Sequence, residues 1–345
     1  MPVMEATSSP PPPQGAAPAG ASQGSLARRI LRGAISGHAV LFLSLACFLA
    51  LWPITPDLAT SENLRNLFMA AVPLLAVAIG QTVVLISGGI DLSVTAIIAA
   101  TSVVGARVVL GGEGDAASVF LGIALMFAVG TGIGLLNGVA ITTLVMPPFI
   151  VTMSMTMCVS GLTLWLTQSK NTVNLPDAFT VIGYGDWLGV PYALLIVLAL
   201  AILAHAVLTR TLFGRWLYAV GHNPRAALIS GVPVRTVTAA AYAISGACAA
   251  VGSLIYTARV ETGSPTLGQN ILLDVIGAAV IGGTSLFGGK GKVLWTVYGV
   301  LLYAVIDNTL NLHGLQHFTI MMIKGGVILA AALLDVARAR FAGGA

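Results

Sequence analysis

Apolar runs of roughly twenty residues, parted by short polar segments, recur along nearly the whole chain. Read from the N-terminus they predict ten spans, at about 36–52, 67–87, 91–110, 118–137, 148–166, 191–209, 237–257, 271–288, 293–310 and 318–336. About twenty residues is what a helix needs to cross a bilayer core. The two-residue alternation of barrel strands is absent. The expected fold class is therefore all-α, a polytopic membrane protein of about ten transmembrane helices.

Composition agrees with the pattern. The chain has 57% hydrophobic and 8% charged residues, where a soluble domain carries about 25% charged. Residues 1–25 are rich in Pro, Ala, Gly and Ser, without a basic stretch followed by an apolar one, so they do not read as a cleavable signal. Residues 1–33 are expected to be a disordered cytoplasmic tail, 34–338 the transmembrane domain and 339–345 a second cytoplasmic tail. Cys47, Cys158 and Cys248 each stand inside an apolar run without metal-ligand spacing, as small buried residues do. The basic residues sit at the ends of spans, so the pI of about 9.1 points to membrane topology and not to nucleic acid.

Basic residues set the expected orientation. With the N-terminus inside, the cytoplasmic segments collect Arg28, Arg29, Arg32, Arg210, Arg215, Arg225, Arg235, Lys290, Lys292, Arg338 and Arg340, eleven of the sixteen Lys and Arg. That asymmetry predicts an N-in, C-in molecule. The largest inner loop, Arg210 to Thr236, is basic and a natural contact surface for a cytoplasmic partner.

Two glycine-broken hairpins interrupt the spans near their expected cytoplasmic ends. "GGIDLS" at 88–93 is echoed by "GGTSLF" at 282–287, which suggests a duplicated membrane unit with two related halves. Gly88, Gly89, Gly282 and Gly283 let the backbone turn or approach closely. Asp91 is read first as a cap for the helix that follows. The alternative is that Asp91, with Gln81 and Asn137, lines a translocation route, since polar groups at membrane depth are often functional. Within the spans and away from the cytoplasmic edge, Asp307 and Lys324 are expected to pair and neutralise one another.

Catalytic and nucleotide signatures do not emerge. "SLFGGKGKV" fails the spacing of a phosphate-binding loop. His313 and His317 have metal-pair spacing but no acidic company, and read as solvated loop histidines. No nucleophile–base arrangement stands out.

Four stretches in order, "GQTVVLISGGIDLSV", "LLNGVAITTLVMPPFIVTMSM", "FGRWLYAVGHNPRAALISGV" and "IGAAVIGGTSLFGGKGKV", resemble the ribose-type sugar permeases, the membrane subunits of bacterial ABC importers. The likeness runs from about Leu64 to Val336. It implies a type II importer-like fold, a bacterial inner-membrane location among lipid, and a second permease copy, identical or a close paralogue. It also implies a cytoplasmic ABC ATPase that uses ATP, so that no cofactor is bound by this chain, and a periplasmic sugar-binding protein. The segment "GHNPRAALISG" matches the family's ATPase-docking loop, which assigns coupling to Gly221, Asn223, Pro224, Arg225, Ala226, Ala227 and Gly231. Asn223 can cap, Pro224 suits a first helical position, Gly231 can end the turn, and the small Ala226 and Ala227 are expected to face the ATPase. Thr95, Phe287 and Lys290 depart from the commoner family form and weaken any inference of solute. The expected cargo is a pentose or related polyol. The alternatives are a permease for another solute, such as branched-chain amino acids or nucleosides, and an ion-coupled secondary transporter.

Overall fold

The structure, a computed structural model, describes residues 38–112 and 114–342. Among these, thirteen helices follow one another: α1 Ala39–Leu51, α2 Ser61–Ile86, α3 Val94–Gly111, α4 Ala116–Thr143, α5 Pro148–Thr167, α6 Asp177–Tyr184, α7 Tyr192–Arg210, α8 Leu212–His222, α9 Pro224–Ile229, α10 Val234–Val260, α11 Ile271–Gly282, α12 Val293–Leu312 and α13 His317–Ala342. Two two-residue strands, β1 Asp186–Trp187 and β2 Val190–Pro191, pair antiparallel between α6 and α7. The chain is thus an all-α polytopic membrane protein.

Seven helices, α2, α3, α4, α5, α7, α10 and α12, are long and apolar enough to cross a membrane, and shorter apolar helices stand at α1, α11 and the start of α13. Each of the ten predicted spans falls on one of these. The predicted 271–288 span is corrected: α11 ends at Gly282, because Gly283 takes φ +109° and turns the chain. The 167–190 segment also holds the helix α6, and α13 continues past 338 to Ala342. The expected 1–33 tail, with Arg28, Arg29 and Arg32, lies outside the described residues. Of the cysteines, Cys248 is buried, Cys47 partly so, and Cys158 is exposed on α5 instead of buried.

Helix α2 forms the centre and is buried along most of its length. It starts under a cap in which the Thr60 hydroxyl accepts from Asn63 N, and Asp115 caps α4 by accepting from Ser118 N at 2.8 Å. That hydrogen bond holds the exposed Asp115 carboxyl below its usual range. Between membrane helices there is little hydrophobic gain from association, so close backbone approach and hydrogen bonds do the work. Ser253 Oγ donates to Ile98 O at 2.8 Å and Thr257 Oγ1 to Ser102 Oγ at 2.7 Å, tying α10 to α3. Thr82 and Thr296 share a hydroxyl hydrogen bond of 2.6 Å between α2 and α12.

Helices α4 and α10 meet along glycines at four-residue spacing, Gly130, Gly134 and Gly138. A Cβ on Gly134 would stand 2.2 Å from Tyr242 O, and one on Gly138 would stand 2.5 Å from Ala239 Cα. Gly132, on the same helix, has nothing within 4 Å of its Cβ position. Gly134→Val is therefore expected to destabilise the protein by about 3 kcal/mol or more, as overpacking against backbone does, while Gly132→Val is neutral. Thermal unfolding of the two purified variants checks this, and equal melting would remove the glycine seam as a packing determinant.

Candidate functional site

The segment Ser87–Ser93 breaks the path between α2 and α3, and side chains from α2, α5 and α10 supply what its backbone lacks. Helix α2 closes with Gly88 at φ +85°, Gly88 N donating to Leu85 O and Gly89 N to Val84 O. Gln81, fully buried, takes the amide orientation that satisfies both ends: its nitrogen donates to Asp91 O at 3.0 Å and its oxygen accepts from Asp91 N at 3.3 Å. Thr152 on α5 and Tyr242 on α10 both donate to Ile90 O, at 3.3 and 3.4 Å. Gly89 has no room for a side chain, since its Cβ would stand 2.3 Å from the Tyr242 hydroxyl.

Asp91 lies at the centre of this segment and is fully buried. Its Oδ1 accepts from Ser93 N at 2.9 Å and Ser93 Oγ at 2.6 Å, and its Oδ2 accepts from Ser245 Oγ at 2.8 Å. Asn137 Nδ2 donates to Ser93 Oγ at 2.8 Å. This corrects the expectation that Asp91 caps α3. Ser93 holds the N-cap position, with no side-chain cap bond, and Asp91 instead fixes Ser93 and reaches across to α10. Gln81, Asp91 and Asn137 are brought together, as grouped from the sequence, but as parts of the chain's own core. Ser93, Ser245, Thr152 and Tyr242 complete the network without having been foreseen. Scattered single hydroxyls in apolar runs carry no spacing signal.

Three segments of the expected cytoplasmic side meet at one end of the bundle. A Cβ on Gly221, near the end of α8, would lie 1.8 Å from Ile86 O and 2.6 Å from Gly289 N. Gly289 N donates to Ile86 O at 2.9 Å, and Gly288 packs on Gly88. The two echoed hairpins therefore touch. Their registers differ by one from the sequence match: Gly283 N donates to Val280 O and Thr284 N to Ala279 O, so Gly283 corresponds to Gly88 and not to Gly89. Gly282 instead allows close packing on α12, its Cβ position being 2.3 Å from Trp295 O. Tyr218 on α8 donates to Gly291 O at 2.7 Å and binds the second hairpin to the same junction.

Helix α9 projects from this junction. Asn223 Oδ1 accepts from Ala226 N at 3.0 Å, Pro224 follows, and Gly231 at φ +82° ends the helix. Arg225 and Ala226 are exposed. Ala227 is not: it packs with Leu217, Val220 and Val232 in the chain's own core, which corrects the expectation that it faces a partner. The outward apolar side chains are Leu228, 63% exposed, and Ile229, 83% exposed.

A second polar feature stands about 30 Å away along α2, by 1.5 Å per residue from Asn66 to Ile86. Lys324 on α13 pairs with Asp307 on α12 and lies 3.5 Å from Asp274 on α11. Asp274 also accepts from the Tyr303 hydroxyl, and the Lys324 ammonium sits 4.9 Å over the Tyr303 ring. Asp274 was overlooked, although an aspartate inside "ILLDVIGAAVIGG" is the signal that finds it. The group borders a cavity of about 340 Å³. His313 bonds to Thr55 Oγ1 at 2.8 Å, and His317 opens α13 and is not in a loop. Among the described residues no His, Cys, Asp and Glu group is arranged for a metal.

Comparison with known proteins gives one family and a consistent set of relatives. The family described as "Branched-chain amino acid transport system / permease component" matches residues 63–332. Ribose import permease protein RbsC of Bacillus subtilis (strain 168) is 39% identical over 285 residues, 82% of this chain and 87% of that protein. The Escherichia coli (strain K12) ribose permease RbsC is 34% identical over 286 residues, 82% of this chain and 88% of its own length. The L-arabinose transport system permease protein AraH of the same strain is 33% identical over 303 residues, covering 88% and 89%. No solved structure gives a significant match.

Asp91 gives the site its sharpest test. Ser245→Ala leaves Asp91 Oδ2 without its donor, and is expected to cost about 1.5–3 kcal/mol. Asp91→Leu orphans three buried donors and should cost more. Thermal unfolding of purified variants reads the order, and a neutral Asp91→Leu would contradict the network's structural role.

Proposed function

This chain belongs to the branched-chain amino acid transport system / permease component family, and from that premise we propose that it is the transmembrane permease subunit of an ATP-driven importer for a sugar. The observation that carries the reading is 39% identity to a ribose import permease over 285 residues, almost the whole membrane domain. Relatives named for ribose, D-allose and L-arabinose stand together and favour a sugar over the amino acids in the family's description. The chain is a multi-pass protein of the bacterial inner membrane, and its relatives are permeases and not enzymes.

The partners follow from the division of labour in such importers. A cytoplasmic ABC ATPase supplies the ATP chemistry, and a periplasmic binding protein delivers the sugar. A second permease copy would complete the pathway. The N-in, C-in orientation is part of the proposal, and the basic residues support it. Arg215, Arg225, Lys290 and Lys292 belong to the segments that meet at the glycine junction or project from it, and Arg235 follows at the start of α10.

In this reading α9 is the contact with the ATPase. Its exposed Leu228 and Ile229 offer an apolar face, and burying such a side chain fully is worth about 1.5–3 kcal/mol. Movement of α9 passes through α8 to Gly221, and from there to the end of α2 and to the second hairpin. Gln81, Asp91 and Asn137 hold the Ser87–Ser93 segment firm, so that displacement reaches whole helices and is not absorbed in a loop.

Ile229→Glu tests the docking face. The side chain is 83% exposed, so the variant should insert and fold normally. Placing an unpaired carboxylate in the contact costs several kcal/mol, and about 1.4 kcal/mol is already tenfold in affinity. Pull-down should recover little ATPase with Ile229→Glu. Ala227→Glu is expected to fail earlier, in folding, because its side chain enters the core. Undiminished ATPase recovery and sugar uptake by Ile229→Glu would move the docking site elsewhere.

A further inference from the structure

The cavity beside Lys324 gathers more charge than one ion pair holds. Ionisable groups at membrane depth pair with one another and face the bundle interior or a water-filled cavity, where they mark solute pathways. Here Lys324 meets two carboxylates, Asp274 and Asp307, and a tyrosine hydroxyl joins them, and the group faces open space of about 340 Å³. A second cavity of about 470 Å³ shares Tyr256, Ile271 and Asp274 with the first and is bordered by Ser264, Gln269 and Asn270. Both volumes fall within the roughly 300–1,000 Å³ of small-ligand sites.

The lining has a definite chemistry. Arg259 adds a second cation, so two carboxylates face two cations and the cavity is neutral in sum. Among the described residues, the side chains of Asn66, Tyr256 and Arg259 make no hydrogen bond, although all three border the cavity. Carboxylates accept, Lys and Arg donate, and Asn and Tyr do both. Hydroxyl groups need that mixture. Leu67, Leu74 and Ile271 provide an apolar stretch of wall for a sugar's C–H face.

A charged ligand fits less well. Lys324 is already held by both carboxylates, and a ligand bearing its own ammonium and carboxylate would have to break that pairing. A neutral hydroxyl only adds to it. The location also suits a receiving site, since the cavity lies at the end of the bundle opposite the glycine junction.

We infer that this cavity is a low-affinity subsite for a neutral polyhydroxylated solute, a pentose or hexose, within the membrane domain. The inference rests on the sugar-importer reading and names where this chain itself would read the cargo. Asp274, Asp307 and Lys324 hold one another in place and present their remaining lone pairs and protons to the ligand. Asn66, Arg259 and the Tyr256 hydroxyl supply the free contacts.

The test uses the complete permease–ATPase complex in lipid nanodiscs, without the binding protein. Saturation-transfer NMR is recorded with D-ribose, D-allose, L-arabinose and L-leucine. Tyr256→Phe removes one hydroxyl and nothing else, and Asn66→Leu removes one amide from an exposed position. At least one sugar should give a signal that weakens about three- to tenfold in affinity with each variant, with the ATPase still bound. Sugar signals unchanged in both variants would overturn the subsite. So would the absence of any sugar signal from a complex that imports sugar when reconstituted with its binding protein in sealed proteoliposomes, which leaves the importer reading intact. Signal and uptake for L-leucine alone would overturn both.

Discussion

A membrane interior allows a helix to be broken only where other groups satisfy the freed backbone. The Ser87–Ser93 segment meets that constraint with side chains from three helices besides its own turn. Gln81 brackets the Asp91 backbone from α2, Thr152 and Tyr242 reach Ile90 O from α5 and α10, and Ser245 reaches the Asp91 carboxylate. Each contact fixes the segment and, equally, fixes the donor helix. The most central helix, α2, is thereby registered against α4, α5 and α10. The glycines at 80, 134, 138 and 246 are consequences, because the backbones must come close for these short polar side chains to reach.

The same segment joins the core to the surface that a partner would use. Ile86 O, at the end of α2, accepts from Gly289 N and lies against Gly221. Helix α8, the second hairpin and α2 thus share one backbone contact, with no side chain between them to deform. A junction made of backbone is stiff, and stiffness suits the part that, in the proposed importer, passes movement from an ATPase into membrane helices. At the other end, Lys324, Asp274 and Asp307 pair with one another beside a cavity.

The spans were legible because their signal is bulk hydropathy over about twenty residues, which later packing cannot reverse. The α9 helix was legible too, since Asn223, Pro224 and Gly231 mark start and stop by local stereochemistry alone. What failed needed information from elsewhere in the chain. Ala227 read as a surface alanine because six residues show no periodicity, and only the docking of α9 on Leu217 and Val232 turns it inward. The end of α11 at Gly282 was hidden by the apolar "SLF" that follows. Asp91 was read as a local cap, since its partner Ser245 is 154 positions away. The four-residue glycine spacing from Gly130 to Gly138 was present in the sequence and readable, but passed unused.

The central claim is that the backbone junction at Gly221 transmits movement from the ATPase contact to the membrane helices. Gly221→Ala tests it most directly, because an added Cβ would lie 1.8 Å from Ile86 O and 2.6 Å from Gly289 N, both backbone atoms. The outer face of α9 is untouched by this change. Reconstituted with its ATPase and binding protein, the variant is predicted to assemble and hydrolyse ATP while importing little sugar, whereas Ser230→Ala, exposed and outside the junction, behaves as the parent protein. Sugar import by Gly221→Ala that equals the parent's per ATP hydrolysed would contradict the account.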